Sequence, residues 1–392
     1  MKKLGLYVHI PFCIRKCGYC DFLSTGNASQ DARTAYVDAL IREIGWYGKK
    51  SGMAGGREID LREYETDTVF FGGGTPSLIA SEDLRRLMDA IRIHFDLASD
   101  AEISIEANPG TISAESLFFM REVGFNRLSI GVQSLNDPTL QLLGRIHTGQ
   151  DAVDSFQWAR KAGFDNINLD LMFGIPGQTL DTWTDTLKKA ILLEPEHLSF
   201  YSLKIEESTP FYDLTEKGSM KPVSDELDRT MYEEALRLIQ DAARDRSGRA
   251  YIHYEISNAA REGLFCRHNL KYWSMGEYLG IGAGSHSYIN RERFSNQTDL
   301  DAYVDTDGGQ VRWRHQNNDY DEISEYIFTG LRKIEGIRLA EYERRFSEKI
   351  RDRFADELDI LAGQGLLIVS GESVRLTPKG IDLSNHVLSH FV

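Results

Sequence analysis

Three cysteines fall within eight residues: Cys13, Cys17 and Cys20, spaced C-x3-C-x2-C in Tyr7-Val8-His9-Ile10-Pro11-Phe12-Cys13-Ile14-Arg15-Lys16-Cys17-Gly18-Tyr19-Cys20-Asp21-Phe22. The fourth, Cys266, stands far away in the chain. A disulfide scaffold spreads its cysteines, so clustered thiols point to metal. A structural zinc site takes four ligands, usually in two C-x2-C-like pairs, and there is no second pair. A cluster of four irons normally takes four thiolates, and three thiolates leave one iron with an open position. Zinc, or chance spacing, stays the alternative reading of this stretch.

The elements around the cysteines must hold that loop. Leu4–Ile10 reads as a strand leading straight into it. Further strands are expected at Thr68–Phe71, Glu102–Ala107, Arg127–Val132, Asn166–Met172 and His197–Leu203. Amphipathic helices are expected at Thr34–Tyr47, Glu82–Phe95, Ala114–Val123, Gln150–Ala162 and Thr179–Leu193, with a shorter one near Pro138–Leu143. Gly48–Thr66 is rich in glycine and charge and reads as a surface loop. Repeated βα units favour a parallel sheet with right-handed crossovers. The strands end in polar or glycine-rich loops, where ligands of such sheets sit. After about residue 205 the pattern changes. Asp225–Arg244 is a long charged helix, and Tyr251–Ser257 and Leu279–Tyr288 read as strands that extend the sheet. From about Asp319 to Val392 the chain reads as a small helical, winged-helix-like domain ending in a hairpin of Leu366–Val369 and Val374–Leu376. The expected fold class is α/β, an incomplete (β/α)6 TIM-like barrel with that C-terminal domain. The expected divisions are 1–205, 206–318 and 319–392.

The chain has 392 residues, enough for two or three domains. Hydrophobic residues make up 41% and charged residues 27%, as in an ordinary globular protein rather than a disordered or fibrous one. No apolar run approaches the ~20 residues that cross a bilayer. The basic start Met1-Lys2-Lys3 is followed by His9, Pro11 and Cys13, which cut the apolar stretch short, so a cytosolic N-terminus is expected. Lys plus Arg total 45 against 60 Asp plus Glu, a formal charge of −15. Such a surface repels phosphate backbones and anionic lipid, so nucleic acid is not an expected partner, even for the winged-helix outline.

With the cysteines in view, the sequence resembles the radical SAM superfamily. There the open iron of a [4Fe-4S] cluster chelates the amino and carboxylate groups of S-adenosylmethionine (SAM), whose reductive cleavage yields a 5′-deoxyadenosyl radical. Phe71-Gly72-Gly73-Gly74-Thr75-Pro76 looks like that superfamily's glycine motif, where bare backbone lets the SAM amino group approach. Glu106, in Glu106-Ala107-Asn108-Pro109, suits ribose hydroxyls at a strand end. Ser129-Ile130-Gly131-Val132-Gln133-Ser134, Arg145 and Asp170-Leu171-Met172-Phe173-Gly174-Ile175-Pro176-Gly177-Gln178-Thr179 resemble the branch of oxygen-independent coproporphyrinogen III oxidase. That resemblance implies SAM contacts for Tyr7, Glu106, Gln133, Arg145 and Asp170. Tyr19, Gly73, Gly74 and Thr75 complete the candidate set. Arg145 and Asp170 could instead pair with each other as a plain salt bridge.

Within the branch the chain is more similar to the heme-chaperone group than to the oxidases. The oxidases carry a fourth cysteine two residues after the third, where this chain has Phe22. They also carry an extension before the first strand, and no such lid is expected here. Finally, His268-Asn269-Leu270-Lys271-Tyr272-Trp273 matches the chaperones' H-N-x-x-Y-W motif. Histidine is a common axial ligand of heme iron, and Tyr272 and Trp273 offer flat faces to a porphyrin. The expected heme ligand is therefore His268, with Asn269, Tyr272, Trp273 and Cys266 beside it. His9 and His286 are further imidazoles, read as structural, although His286 closes the glycine-rich Gly280-Ile281-Gly282-Ala283-Gly284-Ser285-His286, which suggests close approach to a ligand. The resemblance implies a cytoplasmic heme chaperone, transiently at membranes, that holds a [4Fe-4S] cluster, SAM and heme. Its partners would be an electron donor and heme-accepting apoproteins such as respiratory cytochromes. Three rivals stay open: coproporphyrinogen III oxidase itself, another radical SAM enzyme acting on a tetrapyrrole, and a structural or zinc protein.

Overall fold

The computed structural model describes residues 1–48, 52–54, 57–306 and 311–391. All six expected core strands form: β1 Lys2–Ile10, β2 Tyr64–Gly73, β3 Leu97–Ala107, β4 Arg127–Gln133, β5 Ile167–Phe173 and β6 His197–Ser202. They lie side by side in sequence order, each parallel to the next. Crossover helices α1 Gln30–Tyr47, α2 Ser81–His94, α3 Ala114–Val123, α4 Gly149–Lys161 and α5 Leu180–Leu192 connect them. Local chemistry sets the helix starts. Ser113, Thr148 and Thr179 each close a capping box just before the first turn of α3, α4 and α5.

The strands alternate strictly between two environments. Leu4, Leu6, Val8 and Ile10 of β1 join the main apolar core, while Tyr7 faces an inner cavity. The same period places Arg127 and Ser129, then Asn168 and Asp170, then Ser199 and Tyr201 on the inner face. The result is an open barrel with an oily outer layer under helices and a polar interior.

Six more strands extend this sheet at its two edges. At one edge the antiparallel pair β7 Tyr251–Glu255 and β8 Asn258–Arg261 follows β6. At the other, β9 Tyr278–Ile281 runs parallel to β1, and β10 His286–Ile289, β11 Glu292–Asn296 and β12 Val311–Gln316 follow antiparallel. The single strand expected at Leu279–Tyr288 is thus two strands. Gly282 (φ 105°) and Gly284 (φ 67°) occupy left-handed conformations that reverse the chain between them. The segment expected as a plain loop at 48–66 holds, in its described residues, a short antiparallel pair, Gly52–Ala54 with Arg57–Ile59. The charged helix α6 Asp225–Asp241 packs on α5, and the short helix α7 Arg267–Trp273 leads into β9.

The C-terminal part has its own apolar core, including Ile327, Tyr342, Leu358, Leu361 and Phe391. It consists of α8 Asp319–Gly330, α9 Leu339–Phe346, α10 Ile350–Gly363, smaller helices and a hairpin of Leu367–Val369 with Ser373–Leu376, joined by Ile337–Arg338 as a third strand. Met275 and Tyr288 belong to this second core, which seats the C-terminal part against the sheet extension.

Candidate functional site: the barrel mouth and the barrel floor

The cysteine loop stands at the carboxyl end of β1. Phe12–Cys13 pairs in parallel with Thr25–Gly26, which ties the loop's two ends together. Inside it, the Cys20 amide donates to the Cys17 carbonyl at 3.3 Å, and Lys16 Nζ donates to the Phe22 carbonyl at 2.9 Å. The Phe211 amide holds the Gly18 carbonyl at 3.0 Å. All three thiols are half-buried and unbridged. Thr75 Oγ1 lies 3.6 Å from Cys13 Sγ, and Arg145 Nη1 lies 3.8 Å from Cys17 Sγ. Donors of this kind stabilise sulfur that carries negative charge, as a thiolate ligand does. No three His, Cys, Asp or Glu side chains among the described residues converge on one ion position.

The glycine run packs onto this loop. The Gly74 amide donates to the Ile10 carbonyl at 2.8 Å, and the Thr75 amide donates to the Phe12 carbonyl at 2.7 Å. A Cβ on Gly74 would stand 2.7 Å from the Phe12 carbonyl oxygen. Gly73, at φ 112°, would drive a Cβ into the His9 ring. The glycines are thus required by the cysteine loop itself, in addition to any ligand.

The other candidate SAM residues gather beside this turn. The Gly73 amide donates to Glu106 Oε2 at 3.1 Å. Arg145 donates through Nη2 to the Gly131 carbonyl at 2.7 Å and to Asn108 Oδ1. Asp170 instead accepts from Ser129 Oγ and Asn168 Nδ2, each at 2.9 Å. The plain Arg145–Asp170 salt bridge is therefore not how these residues are spent among the described residues. Gln133 ends β4 at φ 63°, a left-handed conformation uncommon for a side chain that size. Tyr19 packs edge-on to Phe211 and lies farther out, on the loop itself.

Tyr7, Glu106 and Asp170 line one cavity of about 220 Å³ inside the barrel, together with Arg127, Tyr201, His268 and Tyr272. Burial, and then the neighbouring Asp170, pushes the Glu106 carboxyl up to about 8. Burial likewise raises Asp170, against hydrogen bonds from Ser129 and Asn168. Two carboxylates, hydroxyls and amides around a space of this size suit the vicinal hydroxyls of a ribose. Tyr7 also reaches the cysteine loop indirectly. His9 Nε2 lies 2.9 Å from the Leu23 carbonyl, so it carries the proton, and Nδ1 accepts from the Tyr7 hydroxyl at 3.1 Å. His9 is a structural clamp, as its sequence context suggested.

The floor of the barrel is α7, the His268-Asn269-Leu270-Lys271-Tyr272-Trp273 segment. This is the segment expected to hold heme. His268 is only 1% exposed. Its Nδ1 is 2.9 Å from Thr68 Oγ1, its Nε2 is 2.8 Å from the Tyr272 hydroxyl, and its ring stacks on Phe70 at 5.3 Å. Burial, then Lys271, pushes its pKa down to about 3. Both ring nitrogens are thus held by neighbouring hydroxyls, and the ring lines the same cavity as Tyr7 and Glu106. Cys266 is fully buried at the helix start, and burial pushes its thiol up to about 12. Glu102 accepts the amides of Arg267 at 3.0 Å and His268 at 3.2 Å. Lys271 Nζ meets Asp67 Oδ1 at 2.8 Å. Asn269 and Tyr272 face the cavity, and Trp273 lies under the Arg332 guanidinium at 4.4 Å. The motif is a plug between barrel interior and C-terminal part.

Sequence reasoning missed the interior polar layer: Thr68, Glu102, Arg127, Ser129, Asn168, Ser199 and Tyr201. Its signal was there, in polar residues at every second position of otherwise apolar strands, as in Arg127-x-Ser129 and Asn168-x-Asp170.

Comparison with known proteins agrees with this arrangement. The radical SAM superfamily profile matches residues 7–190, and the HemN C-terminal domain profile matches residues 319–383. The chain is 39% identical to the heme chaperone HemW of Bacillus subtilis (strain 168) over 391 residues, covering 98% of each chain. It is 40% identical to HemW of Escherichia coli (strain K12) over 291 residues, 74% of this chain and 71% of that one. Among solved structures, coproporphyrinogen III oxidase (HemN) from Escherichia coli superposes with a TM-score of 0.82 at 26% identity, covering 100% of this chain and 90% of that one. The fold and cysteine loop thus define a radical SAM protein. The chain belongs to that superfamily and, within it, to the family of the heme chaperone HemW.

Proposed function

We propose that this protein is a heme chaperone of the radical SAM type, which binds heme and delivers it to apoproteins such as respiratory cytochromes. The observation that carries this reading is near-full-length similarity to proteins named heme chaperone HemW, combined with Phe22 where the oxidases have their fourth cysteine. Cys13, Cys17 and Cys20 hold a [4Fe-4S] cluster. Tyr7, Glu106, Gln133, Arg145, Asp170 and the Gly73-Gly74-Thr75 turn would hold SAM at the barrel mouth. When bound, the cluster supplies an electron to the sulfonium. The chain's own residues do the rest. Arg145 and Thr75 place donors near the thiols, the Tyr7–His9 pair fixes the loop after Cys20, and α7 closes the cavity from below. No helix among the described residues is long and apolar enough to cross a membrane. That suits action in the cytoplasm with passing visits to membrane-bound recipients.

The test is transfer. Anaerobically reconstituted protein, loaded with heme, is mixed with an apo-cytochrome, and the acceptor's absorbance is followed. Acceptor loading faster than from free heme, with no conversion of coproporphyrinogen III in the same preparation, is expected. Turnover of coproporphyrinogen without heme transfer would replace this reading with the oxidase.

A further inference from the structure

The polar layer inside the barrel spends most of its capacity on itself. Asn168 Nδ2 donates to Ser129 Oγ at 2.7 Å and to Asp170 Oδ1 at 2.9 Å, and Asn168 Oδ1 accepts from Ser199 Oγ at 3.1 Å. His197 lies 2.6 Å from the same Oδ1 through Nδ1 and 2.8 Å from the Tyr254 hydroxyl through Nε2. Glu102 is taken by two amides of α7. Two groups stand apart. Arg127 is only 2% exposed, and its guanidinium makes no hydrogen bond or ion pair among the described residues. Ser104 stands beside it in the β3–β4 register, fully buried, and its hydroxyl is without a partner among the same residues.

A buried guanidinium is costly unless something answers its charge. Glu102 and Asp170 are the acids whose fields reach Arg127, and neither forms an ion pair with it. Cys266 and Tyr254, the other titratable groups around it, are kept neutral by burial. The donors of arginine lie in a planar fork that matches a carboxylate. Arg127 opens β4, so this fork belongs to the α7 end of the cavity, which His268, Asn269 and Tyr272 also line. Asp170 sits beside Gly131, four residues further along β4, about 13 Å nearer the mouth. The residues that suit SAM and the unspent cation thus occupy different depths. The whole cavity is about 220 Å³. Pockets that enclose an entire organic ligand run from about 300 to 1,000 Å³, so this space suits one arm of a ligand.

We propose that the α7 end of the barrel cavity is a carboxylate pocket, in which Arg127 and Ser104 take one propionate arm of the tetrapyrrole. The inference rests on the heme-chaperone reading and deepens it, because heme carries two such arms. A propionate presents two oxygens in one plane, which matches the guanidinium fork, and keeps a lone pair for the Ser104 hydroxyl. The pair forms away from bulk water, where a charge-assisted hydrogen bond counts for most. The Glu106 carboxyl, raised to about 8 by burial and by Asp170, holds its proton at neutral pH and so does not repel the incoming arm. Asp170 is raised in the same direction by burial and is itself held by Ser129 and Asn168.

Anaerobically reconstituted full-length protein is titrated with hemin and with hemin dimethyl ester, in which both carboxylates are blocked, and followed by absorbance. Arg127→Met and Arg127→Lys are titrated in the same way, and the SAM affinity of each protein is measured by calorimetry. The parent is expected to bind hemin about tenfold or more tightly than the ester, the loss that goes with a hydrogen bond to a charged group. Arg127→Met should bind both at the ester's affinity. Arg127→Lys keeps the charge without the fork and should recover part of the preference. A parent that saturates with both ligands at equal affinity overturns the pocket and leaves the chaperone reading standing. So does an Arg127→Met protein that keeps the parent's full preference, and weakened SAM binding in that variant would then give the guanidinium to the SAM carboxylate. A parent that saturates with neither ligand overturns both readings. Thermal melts of the unliganded variants check that each is folded. The comparison of hemin with its ester on the parent needs no variant and decides the matter if Arg127→Met does not fold.

Discussion

The mouth and the floor of this barrel are each marked by a motif that reads as chemistry, and they meet opposite fates. At the mouth, the thiols of Cys13, Cys17 and Cys20 are half-buried and unbridged, the turn beside them depends on Gly73 at φ 112°, and β4 ends on Gln133 at φ 63°. The backbone there holds conformations that ordinary packing would not select. At the floor, His268, Tyr272, Cys266 and Lys271 are all spent on neighbours within the fold. Residue type and spacing are equally suggestive in both places. What separates a site from a brace is whether its polar atoms still have capacity after the chain has folded.

Mutations at the two ends should therefore fail in different ways. The largest effect is expected from Cys17→Ala, which leaves two thiolates for a cluster that already has one ligand fewer than usual. Iron and sulfide after anaerobic reconstitution should fall close to background while the apo-protein melts like the parent. A variant that keeps its full complement of both would remove the cysteine loop from the site.

At the floor the loss should be one of stability. Glu102 accepts two amides at the start of α7, so Glu102→Ala strands two buried donors. Hydrogen bonds to a charged acceptor and the desolvation of orphaned donors place the expected loss at about 3 kcal/mol. Urea unfolding would measure it, and a loss below about 0.5 kcal/mol would mean that α7 is not anchored this way. His268→Asn should cost less, about 1–2 kcal/mol, because one polar contact is retained.

This contrast also explains what the sequence could and could not tell. The six core strands and five crossover helices follow from local periodicity, and they form where the pattern puts them. The cysteine loop is legible because its ligands are consecutive in sequence. The sheet extension is harder. Leu279–Tyr288 carries no Asp, Glu, Lys or Arg to mark a break, and the left-handed Gly282 and Gly284 divide it into two strands. The role of His268 could not be read locally at all. It depends on Thr68 and Phe70, some 200 residues away, which share its space only after the barrel has closed.

The subtlest difference between the two ends should appear in pH dependence. Glu106 lies between them, on the cavity wall, with its carboxyl raised from an ordinary value near 4.5 to about 8 by burial and by Asp170. A carboxyl raised by folding binds its proton more tightly in the native state than in the unfolded chain. Its contribution is therefore most favourable below about pH 4.5 and is lost as pH rises toward 8, above which the cost is constant. Glu106→Gln keeps an acceptor for the Gly73 amide and removes that titration. Urea midpoints of the SAM-free protein should fall more steeply for the parent than for the variant between about pH 5 and pH 8, and the variant should be the more stable at the upper end. Asp170 is raised too and titrates in both proteins, so only the difference between the curves reports on Glu106. SAM should reverse the sign. Ribose hydroxyls donating to Glu106 favour its charged form, so binding should release protons and tighten as pH rises through this window. Calorimetry in two buffers of different ionisation enthalpy would count those protons. Parallel stability curves together with proton-neutral SAM binding would show that Glu106 is already ionised in the empty barrel, with the Arg127 guanidinium, which lines the same cavity, as the countercharge that keeps it so.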